Sequence, residues 1–496
     1  MDRHSAARRT VSALGVVGLM VLGSCSSDSS SGSSSTSAAT TASSAATTAT
    51  SDSTDGTASP STEVSSEETT DATTEATSDA TTESSTASST EGSTEATEET
   101  TAASEAETTV VVDDTVGDVR GFDGSTITVA GIGIKGQLPG VEFGARARIK
   151  RFNDTNEIPG IKIEYTEFVD DGFDRAVVLS QARRLVTDTG IFALVGDSTS
   201  YNPLDYFAEQ HVPYFGTGYD FTYCATDDTT QMWGFGTLGC LLPENPKFVA
   251  GNAANIYPYV AELLGKDAPT VSIFGLDSDA GQNTTEVQGV AYAAAGFDVV
   301  FTEGLVPLPP VTDYSPYVQA LMVSDDGHAP DMITCLLAVD CIPMWAQLQA
   351  VGFTGEFFHN LYSDALVAPM KGSLVNSPFH NLADPSPVTD QIRADIVAVK
   401  PDQALETGSA QGYMSTDMFI TALKLAVKQG LSGITPENVA KVASTMTWEI
   451  EDFAGPTTFP KNFVTSASCG SILRSDGTTW KTVVPYKCSP DVYPVD

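Results

Sequence analysis

The sequence predicts an α/β protein of two lobes, each built on a parallel sheet, carried at the end of a long acidic tether. Three observations predict it. Beyond about residue 120, short apolar runs alternate with amphipathic stretches, the pattern of repeated strand–helix–strand units. The alternation comes in two series, separated by a Gly-, Pro- and Cys-rich crossing. Before them, Ser26 to Val110 is mostly Ser, Thr, Ala and Glu, with no aromatic residue, Lys or Arg. Such a segment cannot bury enough apolar surface to offset its conformational entropy.

In the first series, Thr126–Gly131 (TITVAG) reads as a buried strand and Glu142–Asn153 as a helix. Ile161–Phe168 alternates apolar and polar residues as a strand does. Asp174–Thr187 places Val178, Ala182, Leu185 and Val186 on one helical face. Ile191–Gly196 and Val212–Gly216 read as strands, with a helix in the dozen residues after the first of them. In the second series, strands are expected at Thr270–Leu276, Phe297–Glu303, Met332–Ala338 and Glu356–Asn360. Helices are expected around Glu286–Ala295, at Tyr317–Val323 and at Met344–Val351, the last ended by Gly352. Downstream, Tyr413–Lys428 reads as a helix stopped by Gly430, and Thr435-Pro436-Glu437 as a cap with Pro in the first turn. Cys469 to Cys488 reads as a hairpin turning at Asp476-Gly477.

The N-terminus says where the chain works. Three arginines before residue 10 precede an apolar stretch, Thr10 to Gly23, too short for a normal membrane span of ~20 residues. It reads as a signal-peptide core. Leu22-Gly23-Ser24-Cys25 resembles the bacterial lipobox, which makes Cys25 the lipidated first residue of an exported protein; ordinary cleavage nearby is the alternative. No later stretch approaches 18 uninterrupted apolar residues. The Ser26–Val110 segment holds 16 acidic residues and no basic one, leaving −25 on residues 111–496 of the chain's −39. Both parts repel polyanions, which argues against nucleic acid as a partner. As a coil of about 85 residues the tether has a mean span of roughly 50 Å, and it is suited to O-linked sugars.

Six cysteines remain: Cys224, Cys240, Cys335, Cys341, Cys469 and Cys488. An even number in an exported chain implies disulfides, and six cysteines allow about 15 connectivities. Pairing sequence neighbours is favoured because each loop is then local. No C-x-x-C or Cys/His spacing points to metal.

The order of these segments resembles the branched-chain amino-acid binding protein family, the type I periplasmic-binding-protein-like solute receptors of ABC importers. The resemblance rests on ITVAGIG…VEFGARARIKRFN, IKIEYTEFVDDGFDRAVVLSQARRLVTD, IFALVGDSTS, HVPYFGTG, GLDSDAGQ, YMSTDMFITALKLA and EDFAGPTTFPKN, and spans nearly all of residues 125–496. It implies two Rossmann-like lobes joined by a hinge, with 1–25 as signal peptide and 26–120 as tether. The first lobe would take 121–245 and 371–455, the second 246–370, and a disulfide hairpin 456–496. It also implies a small-molecule ligand (an amino acid, amide or related compound), an ABC permease as partner and no cofactor. The expected state is a monomer on the outer face of the cytoplasmic membrane. The sequence departs from the family pattern at GIKGQLPG, and at Asp279-Ala280-Gly281, where a tyrosine–glycine pair is usual.

Ligands of open α/β sheets bind at the carboxyl ends of strands. Gly196 to Ser200 and Gly216 to Tyr219 are two such ends. Ser198, Thr199, Ser200, Thr217, Gly218 and Tyr219 are therefore the expected first-lobe ligands, the hydroxyls holding a carboxylate or amide oxygen with help from helix N-terminal N–H groups. Simple helix capping by Ser198–Ser200 is the competing role. Asp279, Asp340 and Asp364 each follow a second-lobe strand and are candidates for an ammonium group. Tyr201 and Tyr219 are candidates for an apolar wall, and His211 and His359 for structural roles. The competing class is a serine hydrolase, because G-D-S-T-S resembles the G-x-S-x-G elbow with Ser200 in place of the last Gly. Its triad would need Asp364 and His380. A ligand sensor without transport is a third class, since fold does not fix function.

Overall fold

The computed structural model describes residues 117–226, 232–243, 248–250, 253–308, 310–489 and 492–494. Cys25 and residues 26–116 of the expected tether lie outside the described residues. The chain is engaged with the folded body slightly before the expected boundary at 120: Val119 bridges to Phe122. Arg120 donates from Nε to the Ile191 carbonyl at 2.8 Å and from Nη2 to that of His211 at 3.0 Å.

In the first lobe the chain runs through β1 (Thr126–Gly133), α1 (Val141–Thr155), β2 (Lys162–Asp170), α2 (Arg175–Arg184), β3 (Ala193–Asp197), α3 (Leu204–Glu209), β4 (Tyr214–Gly216) and β5 (Gly234–Gly236). The strands form a parallel sheet in the order β2-β1-β3-β4-β5. β3 is buried along its whole length, as a strand covered on both faces must be. Asp174 caps α2 by accepting from the Ala176 and Val177 amides. The helix expected through Thr187 changes to a π-helical turn at Leu185–Thr189.

The second lobe contains β6 (Phe248–Ala250), α4 (Ala253–Leu264), β7 (Thr270–Leu276), α5 (Asp279–Ala295), β8 (Asp298–Val306), α6 (Ser315–Leu321), β9 (Met332–Cys335), α7 (Cys341–Ala350), β10 (Glu356–His359) and β11 (Leu374–Ser377). The chain then returns to the first lobe with α8 (Pro387–Val399), α9 (Thr407–Val427) and α10 (Pro436–Ala443). A two-stranded ribbon, β12 (Thr447–Ile450) and β13 (Ala454–Thr458), leads to β14 (Cys469–Ser475), β15 (Trp480–Cys488) and β16 (Val492–Pro494). The second sheet has the order β15-β14-β11-β10-β9-β7-β8. It is parallel from β8 to β11 and antiparallel at β14 and β15. β16 pairs with β6.

Two expected boundaries move. The second lobe does not end at 370, because β11 is one of its parallel strands. The C-terminal hairpin is not a separate segment, since β14 pairs with β11 and completes the same sheet. Its turn is where Asp476-Gly477 predicts it: Asp476 accepts from the Thr478 and Thr479 amides at 2.7 and 2.8 Å. Helix α9 begins six residues before the expected Tyr413, because Glu406 and Ser409 form a capping box there. Among the described residues no helix is long and apolar enough to cross a membrane.

The return of α9 to the first lobe depends on close helix packing. A Cβ on Gly412 of α9 would lie 2.0 Å from the Val141 carbonyl oxygen, and one on Gly144 of α1 would lie 1.9 Å from that of Ser409. Only glycine lets the two backbones approach so closely. An ionic cluster locks the same crossing. Arg148 of α1 pairs with Glu157 and with Asp417 of α9, both at 2.7 Å, and Asp417 accepts from the indole of Trp448 at 3.0 Å. Losing one member of so buried a cluster strands the others, at a cost of about 3–5 kcal/mol.

Overpacking such a contact costs roughly 1–3 kcal/mol. Gly412→Ala is therefore expected to lower the midpoint of urea unfolding by that much, while Gly136→Ala, whose Cβ would meet nothing within 4 Å, costs less. An unchanged midpoint in Gly412→Ala would contradict the close crossing.

Candidate functional site

Each sheet has one place where neighbouring strands are reached by connections running in opposite directions. In the first lobe it lies between β1 and β3, and in the second between β7 and β9. Ligand crevices of open α/β sheets form at such points, outside the strands' carboxyl ends. Here both points open onto one cleft of about 280 Å³, near the small end of the ~300–1,000 Å³ typical of ligand sites. Ile134, Gln137, Ser198, Ser200 and Tyr201 line it after β1 and β3; Leu276, Ser278, Leu336, Leu337 and Ala338 line it after β7 and β9. The approach at the first point is tight: a Cβ on Gly133 would fall 1.9 Å from Ser198 Oγ. The lobes touch at the rim, where the Val339 amide donates to Gln137 Oε1 at 3.3 Å.

All three disulfides pair sequence neighbours, Cys224–Cys240, Cys335–Cys341 and Cys469–Cys488. Each touches the cleft wall. The first fixes the residue preceding Leu241 and Leu242, the second closes the turn carrying Leu336, Leu337 and Ala338, and Cys469 itself lines the cleft.

Of the residues expected from the sequence, Ser198, Ser200, Tyr201 and Tyr219 line the cleft. Thr199, Thr217 and Gly218 are not among its lining residues. Thr199 is buried, its Oγ1 accepting from the Tyr201 amide at 3.3 Å. Thr217 is buried too, its amide donating to the Asp197 carbonyl at 3.3 Å. Gly218 has φ 105° and packs so closely that a Cβ would lie 2.4 Å from the Gly239 carbonyl oxygen. The second-lobe acids also differ from expectation. Asp279 opens α5 rather than a loop, and its side chain lies outside the described residues. Asp340 and Asp364 are turned away to tyrosines, accepting from the hydroxyls of Tyr314 and Tyr362 at 2.7 Å each. Neither lines the cleft. His359 does, as a buried ring bonded to Ser373 Oγ at 3.2 Å. Burial pushes its pKa down to about 3, so it is neutral. His211 is exposed and paired with Glu437 at 2.7 Å. The hydrolase constellation is not assembled: Ser198 Oγ has no hydrogen-bond partner, Asp364 holds Tyr362, and the His380 ring packs on Tyr486.

Several important residues escaped the sequence reading. Gln411 lines the cleft from α9, donating from Nε2 to Tyr219 Oη at 2.7 Å, while its Oε1 is buried and unpartnered. Asn360 Oδ1 is likewise buried and unpartnered in the lining. Behind the Ser198–Ser200 loop lie three buried acids, Asp171, Asp197 and Asp220. Asp197 accepts from the Thr199 amide at 3.2 Å, from Asn202 Nδ2 at 2.8 Å and from the Tyr223 hydroxyl. Asp220 accepts from the amides of Asn202 and Thr222. Burial raises all three, only partly opposed by these bonds, and pushes Asp197 and Asp220 up to about 7. Burial does the same to Glu406, also to about 7.

The pH dependence follows in sign. Between about 4 and 7 these folded-state carboxyls keep protons that the unfolded chain has released, so stability falls as pH rises through that window. Glu157 works the other way. Burial pushes it up, but bonds from Arg148 and Lys424 outweigh burial and hold it at about 2, so its contribution is lost as pH falls below about 4.5. The melting temperature is expected to peak near pH ~5 and to be lower at pH ~8, with Asp197→Asn flattening the alkaline limb. A melting temperature that rises steadily from pH ~5 to pH ~8 would contradict this.

Comparisons with known proteins agree with the geometry. A search of curated proteins finds no match. Among solved structures, a fatty acid ABC transporter substrate-binding protein from Thermomonospora curvata is similar at TM-score 0.61 and 14% identity, covering 76% of this chain and 96% of its own. A branched-chain amino acid transporter substrate binding protein from Streptococcus pneumoniae, solved with isoleucine, is similar at TM-score 0.54 and 18% identity, covering 73% and 100%. An ABC transporter solute binding protein from R. palustris, in complex with 4-hydroxybenzoate, gives 0.54 and 16%, covering 74% and 98%. At these identities the likeness shows the fold, that of type I periplasmic binding proteins. The sequence profile described as periplasmic binding protein matches residues 134–478. The chain belongs to the periplasmic binding protein family, whose members bind solutes and are not enzymes.

Proposed function

We propose that this protein is an extracytoplasmic receptor, anchored through a lipidated Cys25, that captures a small molecule between its lobes and delivers it to an ABC permease. The observation that carries the reading is the cleft itself. The carboxyl ends of both parallel sheets converge on it, and buried oxygens of Ser198, Asn360 and Gln411 line it without a hydrogen-bond partner. Such atoms cost free energy until something bonds to them, and a ligand supplies the bond. Family membership supports solute binding, and the ABC receptors among the similar structures support delivery to a permease. Closure of the lobes about the connecting segments would bury the ligand. The lipobox-like Leu22–Cys25 and the acidic segment after it support a protein held at the outer face of the cytoplasmic membrane.

Two experiments test this reading. Full-length protein in detergent is melted against amino acids, amides, ureas, small carboxylates and apolar neutral compounds. A ligand at about 1,000 times its Kd adds roughly 4 kcal/mol, so one chemical group is expected to raise the melting temperature by several degrees; a panel without any shift would count against the receptor. Separately, Cys25→Ser is expected to move the protein from the membrane fraction to the medium or to leave it unprocessed, and unchanged membrane retention of a processed chain would contradict the lipid anchor.

A further inference from the structure

The cleft also speaks to the class of its ligand, an inference that rests on the receptor reading above. Among the described residues that line it, none carries a carboxylate, an ammonium or a guanidinium group. Its single imidazole, His359, is buried and bonded to Ser373. The Arg175 guanidinium stacks on the Tyr201 ring at 5.0 Å but is not itself a lining group. Aliphatic side chains from both lobes make up much of the wall, among them Ile134, Leu138, Leu238, Leu241, Leu242 and Leu276. An ion moved into such surroundings gives up its hydration without gaining a counter-charge, which is costly.

Backbone amides are the alternative means of holding an anion, and along the two loops that face the cleft most are already engaged, the Ser200 amide being the exception. Along the first-lobe loop, the Ser198 amide donates to the Ile132 carbonyl at 2.9 Å and that of Thr199 to Asp197 Oδ1 at 3.2 Å. The Tyr201 amide donates to Thr199 Oγ1, and the Asn202 amide to Asp220 Oδ2. At the start of α5, the Gly281 amide donates to Ser278 Oγ at 3.1 Å and the Gln282 amide to the Ser278 carbonyl at 2.8 Å. What remains open is chiefly a different set: the amide oxygens of Gln411 and Asn360 and the hydroxyls of Ser198 and Thr334. The amide oxygens are pure acceptors and the hydroxyls serve as either.

We propose that the cleft takes an uncharged, mostly apolar small molecule that offers a hydrogen-bond donor, such as an amide N–H or an alcohol O–H, to the unpartnered oxygens of Gln411, Asn360 and Ser198. A zwitterionic amino acid is a poor fit, because its carboxylate meets loop amides that are engaged at all but Ser200, and its ammonium group meets no described carboxylate.

Two matched series test the charge rule by titration calorimetry of the full-length protein in detergent. On a branched aliphatic body the probes are 4-methylpentanamide, 4-methyl-1-pentanol, 4-methylpentanoate, isoamylamine and leucine. On an aromatic body they are benzamide, benzyl alcohol, benzoate, benzylamine and phenylalanine. On the better-fitting body, the amide or the alcohol is expected to bind at least about tenfold more tightly than every charged member. Gln411→Leu is expected to remove about tenfold of that affinity, with Ser198→Ala as the second variant should the first fail to fold. A charged member that binds as well as the neutral ones overturns the inference, and so does a zwitterion whose tight binding is lost in Asp279→Asn. Binding by no member of either series counts against the receptor reading, and the ligand class falls with it.

Discussion

The buried carboxyl of Asp197 is the fixed point of the first-lobe wall. It stands at the carboxyl end of β3, shut off from water, with three donors converging on it. A carboxyl group so placed must either hold its proton or be richly bonded. Satisfying it dictates the path of the next five residues: the Thr199 amide and Asn202 side chain turn inward to Asp197, and the Asn202 amide turns to Asp220. Ser198 and Ser200 are thereby presented to the cleft while the amides of Ser198, Thr199, Tyr201 and Asn202 are spent. The loop is set before any ligand arrives, so recognition passes from backbone amides to side chains. Gln411, Asn360, Ser198 and Thr334 line the cleft with unsatisfied oxygens.

The rest of the architecture keeps that wall opposite its counterpart. The chain leaves the first lobe, builds the second, returns for α8 to α10, and crosses again to complete the second sheet with β14 and β15. Multiple crossings tie the lobes without fusing their sheets, which leaves a crevice between the two sets of strand ends. The returning helix α9 is doubly anchored, by the glycine contacts on α1 and by the Arg148 cluster. Its first turns, which carry Thr407 and Gln411, thus belong to a rigid element rather than to a loop. The disulfides add covalent ties to the wall: Cys335–Cys341 closes the turn that carries Leu336, Leu337 and Ala338, and Cys224 is joined to Cys240, which lies between Leu238 and Leu241.

Much of this was legible in the sequence. Strand and helix periodicity marked most elements of the two βαβ series, though not β5, β6, α4 or α8, and sequence proximity was enough to pair Cys224 with Cys240, Cys335 with Cys341, and Cys469 with Cys488. Strand ends pointed to Ser198, Ser200 and Tyr219, because a ligand crevice at the carboxyl ends is a property of the sheet and not of particular residues. What escaped depended on tertiary context. Leu374–Ser377 is too short to declare itself a strand until β10 and β14 flank it. Gln411 was missed because the helix was begun at Tyr413, its capping box at Glu406 having an acidic residue where Ser or Thr is usual. The buried acids Asp197 and Asp220 look in sequence like loop carboxylates, as Asp340 and Asp364 do. Only the fold distinguishes those whose carboxyls hold the first-lobe loop from those given over to tyrosines. Leu241 and Leu242 fell in a crossing read as punctuation, although their adjacency to Cys240 was a signal.

The central claim is that a two-lobed receptor uses this cleft for an uncharged molecule. The most direct measurement is native mass spectrometry of the protein purified from the cells that make it, followed by release and identification of whatever it retains. The account predicts a one-to-one adduct with a neutral, largely apolar compound, absent when Gln411→Leu is purified in the same way. A one-to-one adduct with a zwitterionic amino acid, or an adduct undiminished by that substitution, would contradict it.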